Sequence, residues 1–564
     1  FFGGDPLSRS VQEFSERKSE MKHLVFCGHP LSDFTVITAV NADPAEQLAA
    51  AELKKYLERA AEVSIFSATD DRYFPCELIV GHTARDFSEL QEIRAGLGTE
   101  GIVILAQENR IFFSGATPRG TLYSVYSFLE DVVGWRFYTK DIEVLEGTDP
   151  VSVPTGMKKI FRPKLEYRDL FWYDAFDPGF SAKRRINGMV GRDLHAFGGG
   201  ISYAGFVHTL PYLAETSAAD GDQPCLTDPE IYRTVMKNIR KTLKNKPDAN
   251  ILSVSQNDSP YDRLGCTCGS CTELDEREGS PAGSLLTFVN RIARELRDDY
   301  PDLAIDTLAY RYTRHPPKNL HAEPNVIVRL CSIECDFARP YWKNADLSFA
   351  EDVRDWSKKC DRLYIWDYTT NFTYYLTPFP NLHVLPENIR FLVHYGVKGI
   401  FEQGNYQTKS GEFGDLRAYL LSVLLWNPDL TDEEYEEHLN GFLAACYGGG
   451  WKELRSYIAL TEAAVANTEM HIYGPTYRIF RDWELKNNSI ALWKSALAKC
   501  GKEHRAFTEQ ASIQLIYALT KLAKEQKMPH DPGQLFSLLR TYEIPGISEA
   551  MGTFETSKQL GQLL

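Results

Sequence analysis

The sequence lacks long apolar runs and an excess of positive charge. None of its 564 residues falls in a stretch of 18 or more consecutive apolar residues, so we expect no transmembrane helix. The formal net charge is -15, which argues against a nucleic-acid partner, because such binding depends on Lys and Arg neutralising phosphates. No basic amphipathic stretch indicates binding to a membrane surface.

Several motifs are also missing. No Gly-rich fingerprint follows the first strand of the central region, which weakens a nucleotide-binding interpretation, and no HExxH pattern indicates catalytic zinc. The 11 cysteines are odd in number and scattered, so they are not a disulfide framework. The first 20 residues contain no signal-peptide core. These features predict reduced thiols and a cytoplasmic protein. Secretion, with a signal removed before Phe1, stays an open alternative. We expect no cofactor, and the sequence gives no oligomeric state.

The order of apolar patterns predicts an α/β protein with several domains. Short apolar runs alternate with amphipathic helices over about 270 residues, which is typical of a parallel sheet. That size favours a (β/α)8-type barrel, with a doubly wound sheet as the alternative. The expected parts are a peripheral segment (1–30), a small α/β domain (31–150), a linker (148–159), the catalytic barrel (160–428) and a helical domain (429–564).

Local signals refine this outline. The segment 193–197 is read as a weak strand, and GIVILAQ and RIFFSG (101–115) as a hairpin. Capping boxes at Thr227 and Thr431 are expected to begin helices, because each is followed three residues later by Glu.

Carboxylates and aromatic residues follow the apolar runs of the predicted barrel. The carboxyl ends of barrel strands carry the active site, so the residues directly after each run are the candidates. Carboxyl groups that face each other among aromatic rings are suited to glycosidic cleavage, because one must donate a proton while another stabilises charge. The catalytic candidates are Asp258, Glu402 and Glu334. The candidates for substrate binding are Trp172, His208, Asn257, Tyr310, Trp366, Asp367, Asn371, Asn405 and Tyr406.

Each candidate also has a purely structural interpretation. A carboxylate at a strand end is often a helix cap or an ion-pair partner. His208 can equally be a core histidine that is hydrogen-bonded to the backbone.

The spacing Cys-x-Cys-x-x-Cys at Cys266, Cys268 and Cys271 offers three soft ligands. Structural zinc needs four, and only the fold could bring Cys331 or Cys335 near enough to supply the last. We therefore predict no metal site, with zinc at these cysteines as the minor alternative.

Taken together, five motifs resemble the bacterial family of domain of unknown function 4838, part of which is glycoside hydrolase family 163. They are GFVHTLPYL, SVSQNDSPYDRLGCTCGSC, VRLCSIECDF, IWDYTTNFTYYLTPFPNL and GIFEQGNYQ, and the likeness covers most of residues 34–460. The first 150 residues are similar to the small domain that precedes the barrel in α-glucuronidases and β-hexosaminidases.

The resemblance implies a retaining endo-β-N-acetylglucosaminidase whose substrate's own acetamide is the nucleophile. Under that implication Asp258 is the acid and Asn257 orients the acetamide, or a glutamate is the acid and Asp258 binds the sugar. An inverting, exo-acting α-glucuronidase is the second hypothesis, with Arg311, Arg314 and Arg329 as a clamp for the uronate. A non-catalytic carbohydrate-binding protein is the third.

Overall fold

The computed structural model describes residues 23–145, 150–217, 219, 222–258, 265–409, 411–549 and 557–564. Most of the predicted peripheral segment, residues 1–22, lies outside this range, as do residues 259–264 of the motif that follows Asp258.

The described strands fall into an N-terminal group and a central group. The N-terminal strands are β1 (Leu24–Phe26), β2 (His29–Pro30), β3 (Phe34–Thr38), β4 (Phe66–Thr69), β5 (Cys76–Val80), β6 (Ile102–Gln107), β7 (Arg110–Gly115), β8 (Trp135–Phe137), β9 (Glu143–Leu145), β10 (Val151–Val153) and β11 (Lys158–Phe161). The central strands are β12 (Tyr167–Phe171), β13 (Tyr203–Ala204), β14 (Ile251–Ser253), β15 (Ala304–Ala309), β16 (Val326–Cys331), β17 (Arg362–Tyr368) and β18 (Gly399–Gln403).

Helices cover the sheets and form the C-terminal part. Those of the N-terminal and central regions are α1 (Pro44–Ala61), α2 (Ser88–Ala95), α3 (Pro118–Phe128), α4 (Pro178–Lys183), α5 (Leu210–Ala214), α6 (Pro229–Asn245), α7 (Gly269–Glu278), α8 (Ala282–Leu296), α9 (Ser348–Trp356), α10 (Leu385–His394) and α11 (Gly414–Trp426). The C-terminal helices are α12 (Asp432–Tyr447), α13 (Trp451–Val465), α14 (Trp483–Lys499), α15 (Arg505–Glu525), α16 (Gly533–Thr541) and α17 (Ser557–Leu563). None of the described helices is both long and apolar enough to span a bilayer.

The N-terminal region is built on a six-stranded mixed sheet in the order β11-β6-β7-β5-β3-β4. The predicted hairpin is confirmed, since β6 and β7 pair antiparallel from Ile102 to Gly115. The predicted linker is wrong over its described residues. There β10 pairs with β1 and β11 pairs with β6, so the backbone of this segment forms its hydrogen bonds as part of two different sheets.

The central region is a parallel sheet in the order β12-β18-β17-β16-β15-β14-β13. Its two edge strands approach each other through residues 187–189. The Asn187 N–H donates to the Arg168 carbonyl of β12 at 3.1 Å, and the Met189 N–H donates to the Ile201 carbonyl at 3.0 Å. The sheet is therefore barrel-like, as predicted.

Two local predictions are wrong for reasons of turn chemistry. Residues 193–197 are no strand, because the Asp193 carboxylate accepts from the His195 N–H at 2.9 Å and three glycines follow at 198–200. The cap of α6 is Asp228 rather than Thr227, because Pro229 occupies the first helical position. The predicted capping box at Thr431 is confirmed.

The C-terminal helices pack against the connection that follows β17. Leu376 of that connection is buried in one apolar cluster with Ile513, Tyr517, Leu535 and Ile547. Backbone hydrogen bonds reinforce the contact, since the Phe372 N–H donates to the Ile472 carbonyl at 2.8 Å. This docking brings C-terminal segments to the carboxyl end of the parallel sheet.

Candidate active site

A pocket of about 400 Å³ lies at the carboxyl ends of the parallel strands. Aromatic rings form most of its wall, and they are Phe171, Phe206, Tyr310, Trp366, Tyr368, Phe372, Phe401, Tyr406 and Tyr473. The polar groups that line it are His208, Asp258, Gln403 and Glu549. An apolar pocket with a few convergent polar groups is the usual form of a small-molecule site.

Asp258 reaches the pocket from the chain that continues beyond β14. Its side chain is exposed, and its Oδ1 accepts a hydrogen bond from the Tyr310 hydroxyl at 3.0 Å. Tyr310 follows β15 directly, so the two neighbouring strand ends place a carboxylate and its donor side by side. The arrangement holds the Asp258 carboxylate at the wall of the pocket.

Glu549 is a second carboxyl group in the pocket, and it comes from the C-terminal part of the chain. Its backbone N–H donates to the Phe372 carbonyl at 2.9 Å, which fixes the segment against the connection after β17. Its Oε1 accepts from Gln403 Nε2 at 3.3 Å, and the Tyr406 hydroxyl also donates to this carboxyl. Glu549 is thus held by two residues that belong to the end of the sheet.

The electrostatics of Glu549 favour its protonated form. Burial raises the pKa of the Glu549 carboxyl, and the negative charge of Asp258 raises that pKa further, against the hydrogen bond from Tyr406. The two carboxyl groups therefore line the same pocket, and the charge of Asp258 acts on the pKa of Glu549. Such a pair, with one member biased toward carrying a proton, is what acid-assisted bond cleavage requires.

His208 lies in the pocket with a defined ring orientation. Its backbone φ is 53°, and its Nδ1 lies 2.8 Å from the Gln256 carbonyl oxygen. A carbonyl only accepts, so Nδ1 carries the hydrogen, and in the neutral ring Nε2 keeps its lone pair. His208 therefore combines the backbone hydrogen bond of its structural interpretation with a place in the pocket wall.

Trp366 and Tyr406, two of the residues predicted to bind substrate, also line the pocket. Trp366 Nε1 donates to Gln403 Oε1 at 2.8 Å, and its ring lies 4.5 Å from that of Phe401. The ring of Tyr406 lies 4.8 Å from that of Phe171. These contacts leave apolar faces of fixed orientation, which suit the stacking of a sugar ring.

Glu402 and Asp367 lie on the opposite face of the sheet from the pocket. Successive side chains of a strand alternate between faces, and Phe401 and Gln403 of β18 face the pocket. Glu402 therefore points outward, where it is fully buried beside its β17 neighbour Asp367. The structure does not bring either residue to the pocket.

The surroundings of the outward pair favour a protonated Glu402. Burial raises the pKa of Glu402 well above its usual range, and the charge of Asp367 raises it further. Asp367 accepts from the Ser332 hydroxyl and the Tyr368 N–H, which stabilise its ionised form. Burial raises the pKa of Asp367 as well, but these hydrogen bonds oppose that rise, so Glu402 is the member favoured to carry a proton.

Glu334 is engaged by two arginines. It lies 3.3 Å from Arg314 Nη1 and 3.8 Å from Arg311 Nη1, and Arg314 also binds Asp352 at 2.8 Å. Glu334 does not line the pocket. This is the ion-pair interpretation that the sequence left open.

Two of the asparagines predicted to bind substrate donate hydrogen bonds to backbone carbonyls instead. Asn257 Nδ2 donates to the carbonyls of Ala219 at 2.8 Å and Asp222 at 3.2 Å. Asn371 Nδ2 donates to the Gly474 carbonyl at 2.6 Å.

Asn405 and Trp172 also lie outside the pocket wall. Asn405 is fully buried and bonded to Thr408. Trp172 Nε1 donates to Thr369 Oγ1 at 3.0 Å, and its ring lies against Gly404, where an added Cβ would meet it at 1.9 Å. Neither residue presents a free group to the pocket.

The arginines proposed as a uronate clamp form ion pairs with carboxylates outside the pocket. Arg329 is fully buried below the pocket, where it binds Asp306 at 2.9 Å and the Tyr203 hydroxyl. Among the described residues that line the pocket, none is Lys or Arg.

Among the pocket residues that the sequence did not single out as site candidates, four carry hydroxyl, amide or carboxyl groups: Tyr368, Gln403, Tyr473 and Glu549. Tyr368 and Gln403 lie one residue beyond the chosen Asp367 and Glu402, on strands whose two faces are both buried, so the apolar pattern does not show which residues face the pocket. No strand or motif marks Tyr473 and Glu549, because both are delivered by tertiary packing of the helical part.

The fold and the pocket define an α/β protein with a barrel-like parallel sheet and a carboxyl-bearing aromatic cavity at its carboxyl end. The family model "Domain of unknown function (DUF4838)" matches residues 137–458, more than half of the chain. The chain therefore belongs to this family. Glu549 and Tyr473 lie after the matched residues.

Other comparisons add little. No curated protein matches the chain. One solved structure found by the comparison is a family 138 glycoside hydrolase targeting pectin rhamnogalacturonan II, at 10% sequence identity and a TM-score of 0.39. That match covers 94% of this chain and 97% of the other. A TM-score of this size does not establish a shared fold.

Proposed function

We propose that the protein is a glycoside hydrolase and that Asp258 and Glu549 form its catalytic pair. The observation that carries the proposal is that both carboxyl groups face one aromatic pocket and that Asp258 raises the pKa of Glu549. Glycosidases need one carboxyl that donates a proton to the leaving oxygen and a second that stabilises positive charge on the sugar. Glu549 takes the first role and Asp258 the second.

The proposed substrate is a glycan that contains N-acetylglucosamine, cleaved with retention and with the acetamide as nucleophile. Asn257 is bonded to backbone carbonyls, so the orienting role passes to Asp258, whose carboxylate accepts the acetamide N–H. The motifs shared with family 163 support this substrate and an endo mode of action. The proposal includes a complete (β/α)8 barrel over 160–428, with residues 187–189 as the short strand that closes it, flanked by the domains at 31–150 and 429–564.

The absence of Lys and Arg among the described pocket residues disfavours the α-glucuronidase hypothesis. Within the part of the pocket that the structure describes, a uronate would face Asp258 and Glu549 with no guanidinium to neutralise it. This charge balance favours a neutral sugar.

A panel of aryl glycosides and N-glycans tests the proposal with the full chain. The expected result is cleavage of β-N-acetylglucosaminides with retention, read by NMR of the first-formed anomer. Replacing the acetamide by a trifluoroacetamide, a poorer nucleophile, should slow the reaction. Inversion, or indifference to that replacement, would remove the acetamide mechanism. Glycan binding without cleavage of any substrate would instead identify a carbohydrate-binding protein.

A further inference from the structure

Three cysteines that are close in sequence and a fourth from about 40 residues earlier converge at one place beside α6 and α7. Cys225 lies in the segment before α6, and Cys266, Cys268 and Cys271 lie at the start of α7. Their four sulfur atoms all lie within 4.8 Å of one another. The fourth sulfur comes from Cys225, and not from Cys331 or Cys335, which the sequence offered as the fourth ligand.

The sulfur separations match a tetrahedral metal centre. Cys225 Sγ lies 3.6 Å from Cys268 Sγ and 4.0 Å from Cys271 Sγ. Zn–S bonds of about 2.3 Å place the sulfurs of a tetrahedral tetrathiolate about 3.8 Å apart. A disulfide would need about 2.05 Å, and all of these cysteines are free thiols.

Groups around the sulfurs also fit bound thiolates. The Thr227 hydroxyl lies 3.3 Å from Cys271 Sγ, 3.4 Å from Cys225 Sγ and 3.5 Å from Cys268 Sγ. The Cys271 N–H donates to Cys268 Sγ at 3.5 Å across the first turn of α7. Hydrogen-bond donors of this kind orient metal-bound ligands and stabilise their charge.

We propose that Cys225, Cys266, Cys268 and Cys271 bind one structural Zn²⁺ ion. Four thiolates select zinc among the common divalent ions and leave no open position for substrate, so the ion holds the fold and takes no part in cleavage. The site does not depend on the proposed reaction.

The ion would fasten the chain segment that supports Asp258. Gln223, two residues from Cys225, accepts from the Asn257 N–H at 3.0 Å and donates to the Asn257 carbonyl at 3.0 Å. Asn257 directly precedes Asp258. Zinc therefore positions the strand end that carries this carboxylate, through the segment that begins at Gln223.

Metal analysis of the full chain, purified without added metal, tests the proposal. We expect about one zinc per chain by mass spectrometry and an X-ray absorption spectrum with four sulfurs at about 2.3 Å. Cys225→Ser should lose most of the zinc, and Cys27→Ser, a half-buried cysteine outside the cluster, should keep it. Thr227→Val should keep the ion but weaken its affinity by about 10- to 100-fold.

Two further measurements decide the case even where Cys225→Ser fails to fold. Unreduced wild-type protein, denatured with chelator, should titrate all 11 thiols, and cobalt exchanged into the site should give tetrahedral tetrathiolate absorption. Two or more missing thiols would identify disulfides and overturn the proposal. Substoichiometric zinc in protein with every thiol reduced, or iron in place of zinc, would overturn it as well.

Discussion

Glu549→Gln is expected to abolish most of the cleavage while leaving the pocket folded. The glutamine keeps the volume and can still accept hydrogen bonds from Gln403 and Tyr406. It has no proton to give to the leaving oxygen. General acid catalysis is worth about 10²- to 10⁴-fold in rate, so we expect kcat/KM on a glycan to fall by that factor.

The loss should depend on the leaving group and on pH. A 4-nitrophenolate needs little protonation, so the aryl glycoside should lose least. Burial and the Asp258 charge raise the pKa of Glu549, so wild-type activity should fall as pH rises through this raised pKa. The variant should lack that alkaline limb. Asp258→Asn removes the charge that raises the pKa, so its residual activity should fall off at lower pH than in the wild type.

The matched control is Glu543→Gln. Glu543 lies on the same C-terminal segment, is exposed and binds Lys409 at 2.9 Å. We expect its activity to stay near that of the wild type, while circular dichroism verifies that both variants are folded. A folded Glu549→Gln that cleaves the glycan at the wild-type rate, with the alkaline limb intact, would refute the assignment of the acid.

Three further predictions concern groups at and around the pocket. Tyr310→Phe removes the donor to Asp258 and should lower kcat/KM by about 10- to 100-fold, measured at fixed pH, because hydrogen bonds to charged groups contribute about 1.5–3 kcal/mol. In the wild type, Glu402 keeps a proton in the folded state that the unfolded chain loses above pH 4.5, so the free energy of unfolding falls as the pH rises from there. The melting temperature of Glu402→Gln should therefore exceed that of the wild type by a margin that grows toward alkaline pH. A margin that does not change with pH would contradict the raised pKa. Arg329→Met leaves Asp306 buried without its partner and should cost about 3–5 kcal/mol in urea unfolding, whereas the double variant with Asp306→Leu should recover much of that loss.

The sequence predicted the parallel sheet well because strands buried on both faces leave uninterrupted apolar runs. Because both faces of these strands are buried, however, the sequence does not show which side chains face inward and which face outward. In GIFEQ both faces are buried, so nothing in the pattern distinguishes inward Gln403 from outward Glu402. Asp258 and Tyr310 were found because each follows an apolar run whose end the sequence shows clearly, so neither depends on the phase of a strand.

Other features depend on contacts between distant segments. Cys225 lies about 40 residues before the cysteine triplet, in a segment with no motif of its own. Glu549 is placed by the apolar packing of Ile547 against the connection after β17, which local pattern cannot encode.

The position of Glu549 bears on which of the candidate catalytic residues the family model covers. Asp258 lies inside the matched residues, and Glu549 lies about 90 residues beyond them. On the proposed assignment, the matched residues carry Asp258 and a segment beyond them carries the proton donor. A match to the family model then does not by itself imply the proposed cleavage, because the segment that docks on the β17 connection must also be present.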